Sequence, residues 1–375
     1  MDIGITTTAV AAGDRVARAE EQKLTSAKTI PKPAAETNPA AGFLLHMISR
    51  IPAGMRYYIG SEARLRRTIE DTAMAVFAEW SYEEVITPSV DYYDLFEQGM
   101  GQAEAQRGFR FTDNDGRLLA LRPDVTSSVA RMAATLLSER ARPLRFCYAA
   151  PVFRQQPQSH AEWRRENTQL GCELIGANGH ASDLEVLRLA AEILSRLDLQ
   201  TSYVITINNV EIFNGVAAQL DLTPAEREQL RRLIDTRESA ELQRFVNGFS
   251  NAEGRAFLQT TQLTGKREVL RAAREAITNP RSVAALDSLE ELWTDIESLG
   301  LADRFEIDLS DVSSLDYYTG LSLKVFVHGA GTSVGRGGRY DGLTGNFGRA
   351  EPAVGFVLNL DALTEVLSRR ITNVT

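Results

Sequence analysis

Strand-like and helix-like segments follow each other in this chain in an order that leaves few folds open. Apolar residues at three- and four-residue steps predict amphipathic helices over residues 61–80 and 183–197. Runs of β-branched and aromatic residues predict short strands between and after these helices. Because the two kinds of segment do not alternate in a β-α-β rhythm, we expect an α+β fold, with an antiparallel sheet flanked by helices.

The pattern also predicts where the individual elements lie. Ser61 is the expected N-cap of the first helix, and Asn114-Asp115-Gly116 is the expected turn of a hairpin over 109–121. A Gly-rich turn is predicted over 329–338, followed by a closing helix over 360–369. The other expected strands lie at 83–90, 144–153, 170–175, 203–207, 305–309 and 321–328.

Three kinds of region follow from composition and pattern. Residues 1–42 are rich in Ala, Thr, Lys, Glu and Pro and are predicted to be a flexible tail. Helical periodicity dominates residues 215–300, where Thr223-Pro224-Ala225-Glu226 forms a capping box, and predicts a helical insertion. Residues 43–214 and 301–375 are then expected to form the core.

Charge and cysteine usage exclude several functional classes. Of 375 residues, 41 are Lys or Arg and 50 are Asp or Glu, so the net charge is -9 and a large RNA partner is disfavoured. No apolar run reaches the roughly 18 residues that a membrane helix needs. The two cysteines cannot form a disulfide framework, and the four histidines show no metal-ligand spacing. We therefore expect a cytoplasmic protein without a bound metal.

Two clusters of polar residues could carry chemistry, and each has a structural alternative. Asp124 and Thr126 follow the hairpin and could hold an ammonium group, although an Asp here more often caps the next helix. Arg154 ends one strand, while Gln169 and Glu173 share one face of another. These three side chains could hold a zwitterion or could form a structural network.

Three further features of the sequence allow a functional or a structural interpretation. One of the adjacent tyrosines Tyr317 and Tyr318 could line a pocket, or it could be packed with its hydroxyl bound to backbone. The glycines of 329–338 do not precede a helix, so they indicate a close approach of backbone in a sheet rather than a phosphate-binding loop. Cys172 falls inside an apolar strand and is expected to be buried and inert.

Taken in order, these clusters resemble the catalytic core of class II aminoacyl-tRNA synthetases, and specifically histidyl-tRNA synthetase. The resemblance spans about residues 45–370. It rests on LRPDVTSSVAR at 121–131, the motif 2-like stretch at 148–176, LDYYTG at 315–320, GGRYDGL at 337–343 and the motif 3-like AVGFVLNLDAL at 353–363. It implies a class II synthetase-like sheet and a histidine pocket.

The resemblance also assigns roles in that pocket. Asp124, Thr126 and Gln169 would hold the α-amino group of histidine. Asp124 stands where the family has Glu, so about one methylene of reach is lost and a water could bridge the gap.

The other end of the ligand is assigned in the same way. Arg154 would face the carboxylate of histidine, and Glu173 and Tyr318 would contact its imidazole. The resemblance implies no cofactor.

Three departures from the synthetase pattern decide the expected function. Ser313 and Ala362 replace two arginines that act on the phosphates of ATP, and Asn167 replaces the aromatic residue that stacks on adenine. Fixed cations stabilise the charge that develops on a phosphoryl group, and each loss would cost roughly 3 kcal/mol or more. We therefore expect no histidyl-adenylate formation. Only 12 residues follow Leu363, so no anticodon-binding domain is expected there, and no tRNA partner.

A chain that has a histidine pocket but lacks the residues that bind the phosphates of ATP resembles the regulatory subunits of ATP phosphoribosyltransferase. That resemblance implies a non-catalytic subunit that activates a short-form catalytic subunit and mediates feedback inhibition by histidine. It also implies a homodimer, paired through the helix at 61–80, inside a hetero-oligomer. The alternative is a truncated synthetase-like ligase that activates histidine or a related amino acid. A third, weaker alternative is a stress-sensing module of the kind fused to kinases.

Overall fold

A computed structural model of the protein describes residues 51–155, 164–199, 202–220, 222–235, 238–248, 263–311 and 318–374. The predicted tail over residues 1–42 lies outside these ranges. From Ala53 onward the chain forms one unit, and of the unit before it, Met1–Pro52, only the last two residues are described.

The elements of the described residues are numbered here in chain order. The helices are α1 (Gly60–Glu79), α2 (Tyr93–Met100), α3 (Gln102–Ala105), α4 (Thr126–Ala134), α5 (His180–Arg196), α6 (Val210–Ala218), α7 (Pro224–Asp235), α8 (Ser239–Asn247), α9 (Glu268–Ala276), α10 (Pro280–Ser298) and α11 (Leu360–Val374). The strands are β1 (Glu83–Glu84), β2 (Val90–Tyr92), β3 (Arg110–Thr112), β4 (Leu118–Leu121), β5 (Leu144–Phe153), β6 (Glu166–Ile175), β7 (Tyr203–Asn209), β8 (Thr264–Gly265), β9 (Phe305–Asp308), β10 (Leu321–Val327), β11 (Gly335–Arg339) and β12 (Ala353–Asn359).

A nine-stranded sheet organises the unit. Its strand order is β1-β5-β6-β12-β11-β10-β7-β9-β8, and all pairs are antiparallel except β1 with β5 and β7 with β9. Strands β2, β4 and β3 form a separate small antiparallel sheet that contains the predicted hairpin. The expected α+β class is confirmed.

The two faces of the large sheet have different roles. Along β6, Leu170, Cys172 and Leu174 are fully buried in the main core, which also includes residues of α1 and α5. Side chains alternate between the faces of a strand, so Gln169 and Glu173 point to the opposite face. That face is covered only in part, by α4 and its apolar residues, and it holds the candidate site.

Helix α1 follows the predicted periodicity but not the predicted cap. Ile69, Ala73 and Phe77 are buried on its inner face. The N-cap is Ile59, with no side-chain capping bond, so the expectation for Ser61 is wrong. Because the helix starts one residue earlier than predicted, Ser61 lies within its first turn.

Helix starts in the region 210–298 are well encoded in the sequence. At α7, the Thr223 backbone N donates to the Glu226 carboxylate over 2.9 Å and the Glu226 backbone N donates to the Thr223 hydroxyl over 3.3 Å, which confirms the capping box. At α10, Asn279 accepts from the backbone N of Ser282 over 2.8 Å. The short strand β8 joins the large sheet beside β9. The division of the chain into core and insertion stays a prediction.

Two strand predictions need correction. The expected strand at 83–90 is two short strands, β1 and β2, that belong to different sheets. The Gly-rich segment 329–338 ends in β11, a central strand rather than a turn. A Cβ atom on Gly337 would lie 2.3 Å from the carbonyl oxygen of Gly355 on β12. The expected close approach of backbone is therefore confirmed, and only glycine fits it.

Candidate functional site

A cleft of about 420 Å³ opens on the partly covered face of the large sheet. Strands β6, β11 and β12 and the start of α4 surround it. All six residues that the sequence singled out line this one cleft: Asp124, Thr126, Arg154, Gln169, Glu173 and Tyr318. Residues separated by almost 200 positions in the chain therefore meet in one place.

Glu173 lies at the base of the cleft and is 2% exposed. Its carboxylate accepts hydrogen bonds from the hydroxyl groups of Thr126 (2.7 Å), Tyr148 (2.9 Å) and Tyr340. The nearby Gly355 leaves room for it, since a Cβ atom there would lie 2.0 Å from Glu173 Oε2.

Burial dominates the electrostatics of Glu173. Loss of hydration raises the pKa of its carboxyl to about 7, although the three hydroxyl donors oppose this rise. The negative charge of Asp124 raises the pKa further. Glu173 is thus a buried acid whose proton is exchangeable near neutral pH.

Asp124 both caps a helix and lines the cleft. It accepts from the backbone N of Ser127 over 3.1 Å and from the Ser127 hydroxyl over 3.3 Å, inside the first turn of α4. Burial raises the pKa of Asp124, and the bonds from Ser127 oppose that rise. The capping interpretation is confirmed, and it does not exclude a contact with a ligand, because a carboxylate has about four lone-pair sites.

Gln169 presents an acceptor to the cleft. The side chain is 8% exposed, and within the part of the chain that the structure describes its Oε1 atom has no hydrogen-bond partner. A buried polar atom without a partner costs about 1–3 kcal/mol. A ligand that donates a hydrogen bond at this point would remove that cost.

Arg154 and Tyr318 also line the cleft. Arg154 directly follows β5, and its Nε donates to the Pro123 carbonyl oxygen over 3.2 Å. Tyr318 precedes β10 and is half-buried. Burial raises the pKa of Tyr318, so its hydroxyl stays protonated and can donate a hydrogen bond.

A second cleft adjoins the first, and a third adjoins the second. The second, of about 520 Å³, shares Arg154, Gln169 and Arg336 with the first. The third, of about 740 Å³, shares Asn167 with the second and includes Ala362. The neutral side chains at both departure positions therefore line clefts beside the candidate site, whereas Ser313 lies outside the described residues.

Sequence reasoning missed three residues of the site. Tyr340 lies in GGRYDGL, which was quoted for its similarity and not for its chemistry. Tyr148 is opposite Gly171 across β5 and β6, and that register is invisible in the sequence. Arg336 is the charged residue of a Gly-rich run, and the glycines of that run predict only a close approach of backbone.

The burial predicted for Cys172 is confirmed. Cys172 is fully buried, and burial raises the pKa of its thiol well above the ordinary value. Across the described ranges, no three His, Cys, Asp or Glu side chains are grouped so that they could hold a metal ion. Among the helices of those ranges, none is long and apolar enough to cross a membrane.

Comparison with known families gives a consistent result. A sequence model of the histidyl-tRNA synthetase family matches residues 54–363. The ATP phosphoribosyltransferase regulatory subunit of Moorella thermoacetica is 36% identical over 317 residues, which cover 84% of this chain and 81% of that protein. The subunit of the same name from Halothermothrix orenii is 34% identical over 312 residues, or 83% and 74% of the two chains.

Solved structures agree with the sequence relatives. A Bacillus halodurans protein described as an ATP phosphoribosyltransferase regulatory subunit/histidyl-tRNA synthetase superposes with a TM-score of 0.78 at 29% identity, covering 85% of this chain and 83% of that one. A histidine–tRNA ligase subunit from Alicyclobacillus acidocaldarius gives a TM-score of 0.72 at 26% identity, covering 86% and 98%. The class II synthetase-like fold is thereby confirmed.

Proposed function

Because this chain belongs to the family of ATP phosphoribosyltransferase regulatory subunits, which have the histidyl-tRNA synthetase fold, we propose that it is the histidine-sensing subunit of that transferase. It would activate a short-form catalytic subunit and transmit feedback inhibition by histidine, without catalysing a reaction of its own. The observation that carries the proposal is the convergence of six amino-acid-binding residue types on one cleft.

The ammonium group of histidine fits the side of the cleft formed by Asp124, Thr126 and Gln169. An ammonium group has three donors. One would satisfy the buried Oε1 of Gln169, which has no partner among the described residues. The charge of the ammonium would stabilise the ionised form of Asp124, whose pKa burial raises.

The imidazole of histidine fits the base of the cleft, between Glu173 and Tyr318. The pKa of Glu173, about 7, lies close to the ordinary value of about 6.5 for an imidazole. A bound imidazole and the carboxyl would therefore share a proton in a charge-assisted hydrogen bond. The carboxylate of histidine would face Arg154, at the boundary with the second cleft.

Regulation requires that histidine bind more tightly to one state of the complex than to another. Histidine would favour the state in which the catalytic subunit is inactive, and by reciprocity that state would bind histidine more tightly. The oligomer would be a homodimer, paired through α1, inside a hetero-oligomer. No tRNA partner is proposed.

A non-catalytic role is supported by the clefts beside the site. An adenylate-forming enzyme needs fixed cations where charge develops on the phosphoryl group. At the two departure positions, Ala362 contributes a methyl group to the third cleft and Asn167 a neutral amide to the second and third. The arginines that line these clefts, Arg154 and Arg336 in the second and Arg164 and Arg369 in the third, lie at other positions of the chain.

The proposal is tested by measuring phosphoribosyl-ATP formation by the short-form catalytic subunit of the same genome. We expect the chain to increase the rate and added histidine to reverse the increase. No increase in the presence of folded chain would overturn the regulatory function. Histidine-dependent pyrophosphate–ATP exchange by the chain alone would overturn its non-catalytic part and favour a synthetase-like ligase.

A further inference from the structure

Arg336 stands at the junction of the first two clefts. It lies on β11, opposite Val357 of β12, and both residues line both clefts. Arg154 lines the same two clefts from the end of β5. Both arginines therefore belong to the lining that the two clefts share.

The lining of the cleft carries charges of both signs. Asp124 and Glu173 are its buried acids, and the two arginines are the cations of the described lining. The positive charges of Arg154 and Arg336 both act on Asp124 and lower its pKa against the effect of burial. The ammonium and the carboxylate of an α-amino acid are bonded to the same carbon, so a ligand whose ammonium binds at Asp124 has its carboxylate close to the residues whose charges act on Asp124.

We propose that Arg336 acts with Arg154 to bind the α-carboxylate of the ligand, and that this pair makes the site selective for amino acids with a free carboxylate. The inference rests on the proposed histidine-binding function and adds a specificity-determining residue to it. A feedback sensor built this way responds to the free acid and rejects the corresponding alcohol or amide.

The physical basis is the geometry and the hydration of the guanidinium group. Arginine presents a planar fork of donors that matches a carboxylate, and such charge-assisted pairs are stronger than neutral hydrogen bonds. A site built to bind a polar group discriminates strongly against an analogue that lacks it, because its own polar groups then lose their partner.

The experiment is isothermal titration calorimetry of the full chain with two ligands. One is histidine, and the other is histidinol, in which CH2OH replaces the carboxylate while the ammonium and imidazole are retained. For the wild-type chain we expect histidine to bind about 10- to 100-fold more tightly than histidinol. Equal affinities would overturn the inference while leaving histidine binding in place, whereas no binding of histidine would overturn the proposed function as well.

Two variants and a control assign the effect to Arg336. In R336M, histidine affinity should fall about 10- to 100-fold while histidinol affinity changes little. R336K should restore part of the loss, since it keeps the charge but not the fork. R244Q, at an exposed position of α8, should bind both ligands as the wild type does. An equal loss for both ligands in R336M would make Arg336 structural and overturn the inference.

Discussion

Glu173→Gln tests two effects of the buried carboxylate separately. One is its effect on the stability of the fold, and the other is its contribution to ligand binding. Glutamine has the size of a protonated glutamic acid, so it mimics the uncharged carboxyl without leaving a cavity. The hydroxyl groups of Thr126, Tyr148 and Tyr340, which donate to Glu173, can rotate to accept from the new amide. The variant therefore removes the buried negative charge and keeps most of the packing.

The magnitude follows from the pKa of the buried carboxyl. Burial raises it from the ordinary value of 4.5 to about 7. Below pH 4.5 the folded and unfolded chains both hold the proton. Between the two values the unfolded chain loses its proton first, so stability is lost as the pH rises through about 7. The separation of the two values corresponds to about 3 kcal/mol.

Glutamine does not titrate, so Glu173→Gln should lack this loss. At about pH 8 we expect the variant to be more stable than the wild type by up to about 3 kcal/mol, and near pH 4.5 the difference should vanish. Urea titrations at several pH values give the free energies of unfolding. Glu166→Gln, an exposed position on the same strand, is the matched control and should follow the wild type. A constant difference between variant and wild type at all pH values would refute the reasoning.

The same substitution should weaken the response to histidine. Loss of a charge-assisted hydrogen bond to the imidazole lowers affinity about 10- to 100-fold. In the transferase assay, we expect Glu173→Gln to need a correspondingly higher histidine concentration for inhibition while its activation of the catalytic subunit is retained. Equal loss of activation and inhibition would show that Glu173 supports the structure and not the ligand.

Three further changes test the structure around the site. Gly355→Ala should lower the free energy of unfolding by about 1–3 kcal/mol in urea titrations, because the new methyl group would lie 2.0 Å from the Glu173 carboxylate. The control, Gly342→Ala, places its methyl group in open space and should change the free energy of unfolding little. Tyr340→Phe removes a donor that stabilises the ionised carboxyl, so the pH at which wild-type stability declines should shift upward in the same titrations. Arg339→Met breaks a buried ion pair with Asp183 that joins β11 to the start of α5, and should cost about 3–5 kcal/mol of unfolding free energy in the same titrations.

Local pattern predicted the elements whose stability is encoded locally. Strand β5 and the hairpin of β3 and β4 lie where their β-branched and apolar runs place them, whereas β6 begins four residues before the predicted strand at 170–175. Strand β11 was missed because glycine has low strand propensity, and what holds it in the sheet is tertiary. It lies between β10 and β12, and it pairs with β12 over all five of its residues and with β10 over four of them. Glycine is required at these positions because the neighbouring strands lie close, and not because glycine favours the strand conformation.

Only part of the site could be predicted, namely the residues that strand periodicity or the order of motifs along the chain identifies. The period of two placed Gln169 and Glu173 on one face, and the resemblance supplied the other members. Tyr148 and Arg336 depend on which residue lies opposite which across two strands. That register is fixed by the packing of the whole sheet, so no local signal in the sequence marks either residue.

A structural role and a binding role are compatible for Asp124. Its carboxylate caps α4 through the backbone N of Ser127, and the same group lines the cleft. The capping bond fixes the orientation of the carboxylate, so the charge faces the place where an ammonium group would bind without further ordering of the side chain. Because the cost of ordering that side chain is met by folding, the structural bond improves the binding function rather than competing with it. Asp124→Ala should therefore lose both, by about 1 kcal/mol in unfolding for the cap and by a larger factor in histidine affinity, and a loss of stability alone would show that Asp124 is only a cap.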